Sequence, residues 1–428
     1  MTQKHLIPLI GVLLMLACSL PALLTATPTA IPATDTVTPF VPTQTETPAA
    51  TSTTTPSATA TVSAVPTQRV PIPHLTAGQA IKITYIHMLD VSNGWGIGGL
   101  NGASDHVLHT TDGGQTWEDL TPPELALVSG GKSAIGFFLD ASKAWVVYAS
   151  NDDIPLDQAY VWYTQDGGST WQASELNDPD LFSEMYAPGE LFFVDAQHGW
   201  LLIHVGAGMN HDYYVLLGTS DGGATWQTLI SATGDTSGTQ SCTKTGLVFA
   251  TDQVGWMTID CHGVAPVPYF FKTSDGGATW SKVELPTPTG TSNLFDQWYC
   301  GIHSPTLFTA TAGDFVLQCN QFDSGQTTKA YLYATEDSGV SWNSYAYPGG
   351  NLQFVTDTIA FALSRDIQRS GNAGHSWSFV KKVNWDGQFS FVDASRVWAV
   401  ARDDDQIALV DSANGGQLWE EIHPTIAP

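Results

Sequence analysis

From about residue 76 onward the chain alternates short apolar runs with clusters of Gly, Asp, Asn and Ser. Ile135-Gly136-Phe137-Phe138-Leu139 is followed, after a polar break, by Trp145-Val146-Val147-Tyr148. Runs of this length, rich in β-branched and aromatic residues and bounded by turn formers, predict β-strands. The turn clusters themselves repeat. Thr110-Thr111-Asp112-Gly113-Gly114-Gln115-Thr116-Trp117 returns as Thr164 to Trp171, Thr219 to Trp226 and Thr273 to Trp280. A fifth copy runs from Thr335 to Trp342, with Asp337 in the acidic place. Two decayed copies put Asn372 and Asn414 where the others have Asp112, Asp166, Asp221 and Asp275.

The shared frame is Ser/Thr-x-Asp-x-Gly-x-Thr/Ser-Trp. Its Asp accepts hydrogen bonds from the backbone of its own turn, its Gly permits positive φ, and its Trp leaves the turn to pack between sheets. These residues are expected to hold a turn, not to do chemistry. A second frame, Asp-x-x-x-Gly/Ala-Trp, lies upstream of the box in Asp90–Trp95, Asp140–Trp145 and Asp195–Trp200, with variants at Thr251–Trp256 and Asp393–Trp398. Each unit therefore reads strand A, tight turn, strand B, variable loop, strand C, box turn, strand D. Seven such units predict an all-β, seven-bladed β-propeller of four-stranded antiparallel blades. Around Leu307 and Ile359 the A–B turn is degenerate, and six blades with an irregular insertion is the alternative. Either the ring closes without a borrowed strand, or residues near Arg69 to Leu75 add an outer strand to blade 7.

The box frame resembles the Asp-box, or BNR, repeat of sialidases, sortilin-type receptors, some glycoside hydrolases and photosystem II assembly factors. The layout is closest to the assembly-factor and sortilin-like propellers. That resemblance implies a propeller with structural box turns, and for the assembly factors a role in binding a partner protein. The sialidases imply three arginines gripping a substrate carboxylate. Here Arg occurs only at 69, 365, 369, 396 and 402, outside blades 1 to 5, so that activity is not expected. The arginine-rich patches associated with the assembly factors are missing too.

The segment before the repeats is different. Lys4 and His5 precede an apolar run from Leu6 to Ala17, too short to span a bilayer and suited to a signal peptide. It ends in Met15-Leu16-Ala17-Cys18, similar to a bacterial lipoprotein cleavage site, which makes Cys18 the expected lipidated residue. The expected organisation is a signal peptide over 1–18, a disordered Thr/Pro-rich stalk over 19–75 and the propeller over 76–428. About half of residues 21–70 are Thr or Pro, a composition that cannot bury enough apolar surface to order itself. The expected location is the bacterial cell surface, anchored to the membrane through the lipid.

Composition narrows the partners. Of 428 residues, 15 are Lys or Arg against 41 Asp or Glu, a net charge of -26. Phosphate neutralisation needs a basic surface, so nucleic acid is not expected. Apart from Cys18 there are four cysteines. Cys242 and Cys261, like Cys300 and Cys319, lie 19 residues apart at the same phase of neighbouring units, which predicts the bridges 242–261 and 300–319. No Cys-x-x-Cys occurs, and His262 has no evident partners, so no metal or cofactor is expected.

Binding is expected on the face of the irregular B–C and D–A loops. Asp152, Asp153, Asp403, Asp404 and Asp405 make those loops acidic. Three Trp fall outside both repeats: Trp162, Trp298 and Trp385. Trp162 is expected in the core. Trp298 and Trp385 are the candidate ligand-face aromatics, with sealing of the ring as their other role. The chain is thus read as a monomeric, non-catalytic binding module for a protein or carbohydrate partner. The alternative is a glycoside hydrolase, which requires two facing carboxylates.

Overall fold

A computed structural model describes residues 69–127, 131–150, 158–182, 184–209, 211–233, 238–262, 265, 267–321 and 328–428. Seven antiparallel sheets follow one another along the chain, each a meander of four strands. Their first strands are Lys82–Met88, Lys132–Phe138, Ala187–Phe193, Thr243–Phe249, Trp298–Leu307, Asn351–Phe354 and Asp386–Phe391. These strands contact one another around the centre, so strand A of each blade lines the channel. The fold is a seven-bladed β-propeller. The only α-helix among the described residues is Leu294–Gln297.

The box turns explain the regularity. In blade 3 the Asp221 carboxylate accepts from the Thr225 N–H at 2.9 Å, the Thr225 hydroxyl at 2.6 Å and the Thr219 hydroxyl at 2.8 Å. Thr219 Oγ1 in turn accepts from Gly223 N–H at 3.0 Å. Gly222 and Gly223 carry φ of 74° and 87°, which an L side chain adopts only at a cost. The same first-residue hydroxyl, carboxylate and second-glycine bonds recur at Asp112, Asp166, Asp275 and Asp337. Asn372 and Asn414 keep the frame through their amide oxygens. At Asp337 the Ser341 hydroxyl, the Ser341 N–H and the Thr335 hydroxyl hold the carboxyl down at about 2.

Every box turn also donates one backbone bond to the A–B turn of its own blade, as in Gly222 N–H to Gln197 O at 2.9 Å. The A–B turns are capped alike. Asp90 Oδ1 accepts from the N–H groups of Ser92 and Asn93. In blades 5 and 6, where the sequence frame looks degenerate, Thr309 and Thr356 hydroxyls accept the equivalent pairs. The seventh blade is therefore real, and the six-blade alternative falls.

Blades are joined by the Trp of strand B. The Trp145 indole N–H donates to Gly222 O of the next blade's box at 2.7 Å, and Trp200 does the same to Gly276 O at 2.8 Å. The ring planes stack on a Phe of the next strand A: Trp145 on Phe193 at 3.7 Å and Trp200 on Phe249 at 3.5 Å. Such pairs add about 0.5–1.5 kcal/mol beyond the area they bury.

The ring closes with the same contacts. Trp398 of blade 7 donates to Gly113 O of blade 1 at 3.0 Å. Gln388 exchanges two hydrogen bonds with the backbone of Ile86, and Ser390 accepts from Met88 N–H. Among the described residues, each blade builds its four-stranded meander from consecutive strands of the chain. The C-terminal residues Thr425–Ile426 instead add a fifth strand, parallel to Thr116–Asp119, on the outer edge of blade 1. Arg69–Pro71 pairs with Leu125–Leu127, between blades 1 and 2, so the second expectation for closure is corrected.

Candidate functional site

Strand A is bulged in blades 1, 3, 4 and 5, between Ile83 and Tyr85, Pro188 and Leu191, Lys244 and Gly246, and His303 and Thr306. Bulges re-aim side chains without ending the strand. In blade 3 the bulge holds Gly189 and Glu190. Glu190 is an exposed residue of the channel wall, with neighbouring strands close around it. Burial raises its pKa, with His204 opposing. Tyr85 of blade 1 is raised by burial and then by the charge of Glu190, so the two groups sense each other across the channel.

His204 is held from behind. Its Nδ1 lies 2.7 Å from Asp212 Oδ1, and its Nε2 lies against Gly189, where a Cβ would come within 2.9 Å. Asp212 is buried and accepts from Lys244 N–H at 3.0 Å, with Lys244 Nζ at 3.8 Å. Burial works to raise its pKa, but the bonds from His204 and Lys244 N–H and their charges outweigh it and hold it low. A second cluster lies one blade on. Asp260 accepts from His262 N–H at 2.8 Å, with His262 Nδ1 at 3.5 Å and His303 Nε2 at 4.0 Å. Burial lowers the His303 pKa; Asp260 opposes this and His262 adds to it.

Both clusters sit where B–C and D–A loops gather. The blade 3 hairpin, Gly199–Gly208 with His211–Thr219, is longer than the equivalent in blade 4, Gly255–Asp260 with Tyr269–Thr273. Its tip exposes Met209, and His211 stacks on Tyr213 at 5.7 Å. Between this hairpin and blade 4 lies a cavity of ≈ 210 Å³ whose lining includes Met209, His211, Thr243, Asp260 and His262. The Cys242–Cys261 bridge forms part of its wall, and the Cys300–Cys319 bridge holds the same pair of strands in blade 5. Both predicted pairings are present. Among the described residues, no cluster of three or more His, Cys, Asp or Glu is arranged to hold a metal ion.

The expected ligand residues fare differently. Trp298 is only 7 % exposed, packed in the blade 4–5 core with Lys329 Nζ 4.5 Å above its ring. It is no ligand-face aromatic, because Leu294 packs in the same cluster and Lys329 covers its ring. Trp385 is half-buried and meets Trp419 edge-on at 5.4 Å. It lines a cleft of ≈ 530 Å³ with Lys381, Lys382 and Leu418, between the outer strands of blades 6 and 7 and away from the channel mouth. Asp404 and Asp405 form a two-residue hairpin turn, Asp404 with φ of 50°, and Asp403 pairs with Gln406 in register. Arg365 lies 3.0 Å from Asp386 and 3.5 Å from Asp403, so that loop is a tight turn with its own cation. Asp152, Asp153 and Cys18 lie outside the described residues. Trp162 is half-buried and lines a cavity of its own.

The channel-mouth histidines were missed in the sequence because their partners come from other strands. His262 looks partnerless because Asp260, two residues before it, meets its second histidine, His303, only where blade 5 packs on blade 4.

No family model matches the chain, and no curated protein matches it either. Solved structures do. A puromycin-hydrolysing peptidase of Mycobacterium tuberculosis superposes with a TM-score of 0.52 at 12 % identity, over 82 % of this chain and 57 % of that one. This chain thus spans little more than half of that peptidase. The polysaccharide lyase Uly1 matches at a TM-score of 0.47 and 10 % identity, over 85 % and 94 % of the two chains. The β-propeller domain of the Trilobed protease from Pyrococcus furiosus matches at 0.44 and 6 %, over 80 % and 98 %. At these identities the likeness is one of fold. Among the described residues no helix is long and apolar enough to cross a membrane, and the two disulfides are consistent with an extracellular location.

Proposed function

We propose that the chain is a non-catalytic, surface-anchored binding module of the Asp-box type, lipidated at Cys18, that takes a protein or glycan partner at the channel mouth over blades 3 to 5. The partner role resembles that of the assembly factors whose repeat it shares. The observation that carries this is the convergence of His204–Asp212 and Asp260–His262–His303 beside a projecting hairpin, on a scaffold cross-linked by two disulfides. A rigid frame lowers the ordering cost of binding, and mixed His and Asp groups suit hydroxyl- and amide-rich partners. With a net charge of -26 the module repels nucleic acid and other polyanions.

The test is a glycan array and a pull-down with the mature chain, run beside His262→Ala/Asp260→Asn. Retention of a partner by the parent and its loss in the variant, with unchanged melting, is the expected result. Equal retention by both removes the mouth as the site.

One observation favours the alternative, a carbohydrate-active enzyme. Glu190, whose pKa is raised by burial, lies beside an Asp212-oriented His204 and opposite Tyr85. That set could donate and accept protons. Release of reducing ends from any oligosaccharide, abolished by Glu190→Gln, would establish it.

A further inference from the structure

The cavity at Trp162 has a build that the propeller frame does not require. Trp162 and Tyr160 stand two residues apart on the third strand of blade 2, so both rings project from the same side of that strand, with centroids 6.4 Å apart. Opposite Trp162 in register is Ala173, whose small side chain leaves the indole only half covered on the outer edge. The space beside them measures ≈ 260 Å³ and is bordered also by Arg69, Glu124 and Gln158. Ligand pockets for drug-sized molecules run to roughly 300–1,000 Å³. This one suits a single ring of a larger molecule that continues into solvent.

The floor is a buried ion pair. Lys132 Nζ lies 2.9 Å from Glu124 Oε1, with the two side chains 5 % and 10 % exposed. Glu124 Oε2 accepts from the Trp162 indole N–H at 2.7 Å. Burying such a pair is expensive, and hydrophobic residues would fill the space at least as well. What the pair does here is fix the indole plane while leaving its face half-exposed. Lys132 neutralises Glu124 within the floor. Each carboxylate oxygen retains one further acceptor position.

We propose that this cavity is a sugar-ring subsite: the apolar face of a neutral hexose or pentose residue lies on Trp162 and Tyr160, and its hydroxyls bond to Glu124, Gln158 and Arg69. Flat aromatic faces supply apolar contact area at low entropic cost, and polar groups at the border set orientation. The protein's -26 charge disfavours polyanionic glycans over neutral ones. The site opens beside the start of the third strand of blade 2, on the same face as the channel mouth but one blade away from it. It does not rest on the mouth being a binding site.

The probes are four neutral hexasaccharides, of β-1,4-glucose, α-1,4-glucose, β-1,4-xylose and β-1,4-mannose. Binding to the mature full chain is read by saturation-transfer NMR and calorimetry. At least one should bind. Trp162→Ala should weaken it roughly tenfold or more, the loss of one aromatic contact. Trp162→Phe, which keeps a ring and drops the bond to Glu124, should lose less. Ala173→Phe fills the cavity without deleting any contact, and it should abolish binding with melting unchanged even if Trp162→Ala does not fold. Trp385→Ala should leave binding as it is. Failure of all four sugars to bind, or binding that survives Ala173→Phe, overturns the proposal. A partner captured at the mouth while no sugar binds leaves the binding-module reading standing and this one refuted. Sugar binding lost in Ala173→Phe but unaffected by His262→Ala/Asp260→Asn supports this site as separate from the mouth.

Discussion

Asp314 is the one acidic residue in a place that the other blades give to an aromatic. The position holds Trp95, Trp145, Trp200, Trp256, Phe361 and Trp398 in the remaining six. Asp314 is 6 % exposed, and among the described residues no donor or cation reaches its carboxyl. The consequence shows on the next blade. Phe354 stands where Phe193 and Phe249 receive a Trp, and it meets Phe308 edge-on instead. Burial alone pushes the Asp314 carboxyl up to about 7.

The sign follows from linkage. In the unfolded chain the carboxyl ionises near its ordinary value of about 3.8. Between that value and about 7 the folded state holds a proton that the unfolded state has released. Stability from this group is therefore full at acid pH, falls as pH rises through that window, and stays low above it. A shift of about three units at about 1.4 kcal/mol each sets an upper bound of about 4 kcal/mol. Partial relaxation around the charged form leaves about 2–4 kcal/mol. Asp314→Asn cannot titrate. At pH 8 it should be more stable than the parent by that amount, and at pH 4 equal or slightly less stable. Asp314→Phe, which restores the ring, should exceed it. Urea melts at pH 4, 5, 6, 7 and 8 measure this. Every other titratable group is common to both proteins and cancels in the difference. A parent-minus-variant curve that is flat from pH 4 to 8 would refute the buried-carboxyl argument.

Two further outcomes test the frame. Asp221→Ala should destabilise by about 1–3 kcal/mol through the lost bonds from Thr219 and Thr225, and binding by the folded fraction should not change. Lost binding with an unchanged melting curve would contradict a structural role. Non-reduced peptide mapping of exported protein should recover Cys242–Cys261 and Cys300–Cys319. Cys242→Ser/Cys261→Ser should cost about 3 kcal/mol, the chain-entropy value for a loop of that order. Free thiols at all four positions would contradict the first expectation, and an unchanged urea midpoint the second.

The propeller was legible because its signal is local and repeated. Each box carries its own hydroxyl, carboxylate and glycine within eight residues, and each turn closes on itself. The A–B turns of blades 5 and 6 looked degenerate because Thr309 and Thr356 replace Asp while Asp314 and Phe361 replace Trp. A hydroxyl two or three residues from the same N–H groups accepts the same bonds, so the turn survives the substitution. The run Asp403–Asp405 misled in the opposite way. Three adjacent acids read as a loose loop, yet the pairing of Asp403 with Gln406 leaves room for a two-residue turn only.

The three Trp outside the repeats show where sequence reasoning stops. Counting them isolates the right set, since a Trp without a frame position needs another reason to be there. Sorting them requires knowing what crosses over each one. Trp298 begins an innermost strand, which looks exposed to the channel, but Leu294 and Lys329 come from outside that strand to cover it. Trp162 sits inside a strand, which looks like core, but its register partner is Ala173 and its indole N–H is taken by a carboxylate from the linker between blades 1 and 2. In both cases burial is decided by residues outside the strand that carries the Trp. The histidines at the mouth follow the same rule: Asp260 approaches His303 from the neighbouring blade, and only the packing of blade 5 on blade 4 brings them together. A repeat fold therefore discloses its scaffold from one blade's sequence, while its sites appear only where neighbouring blades meet.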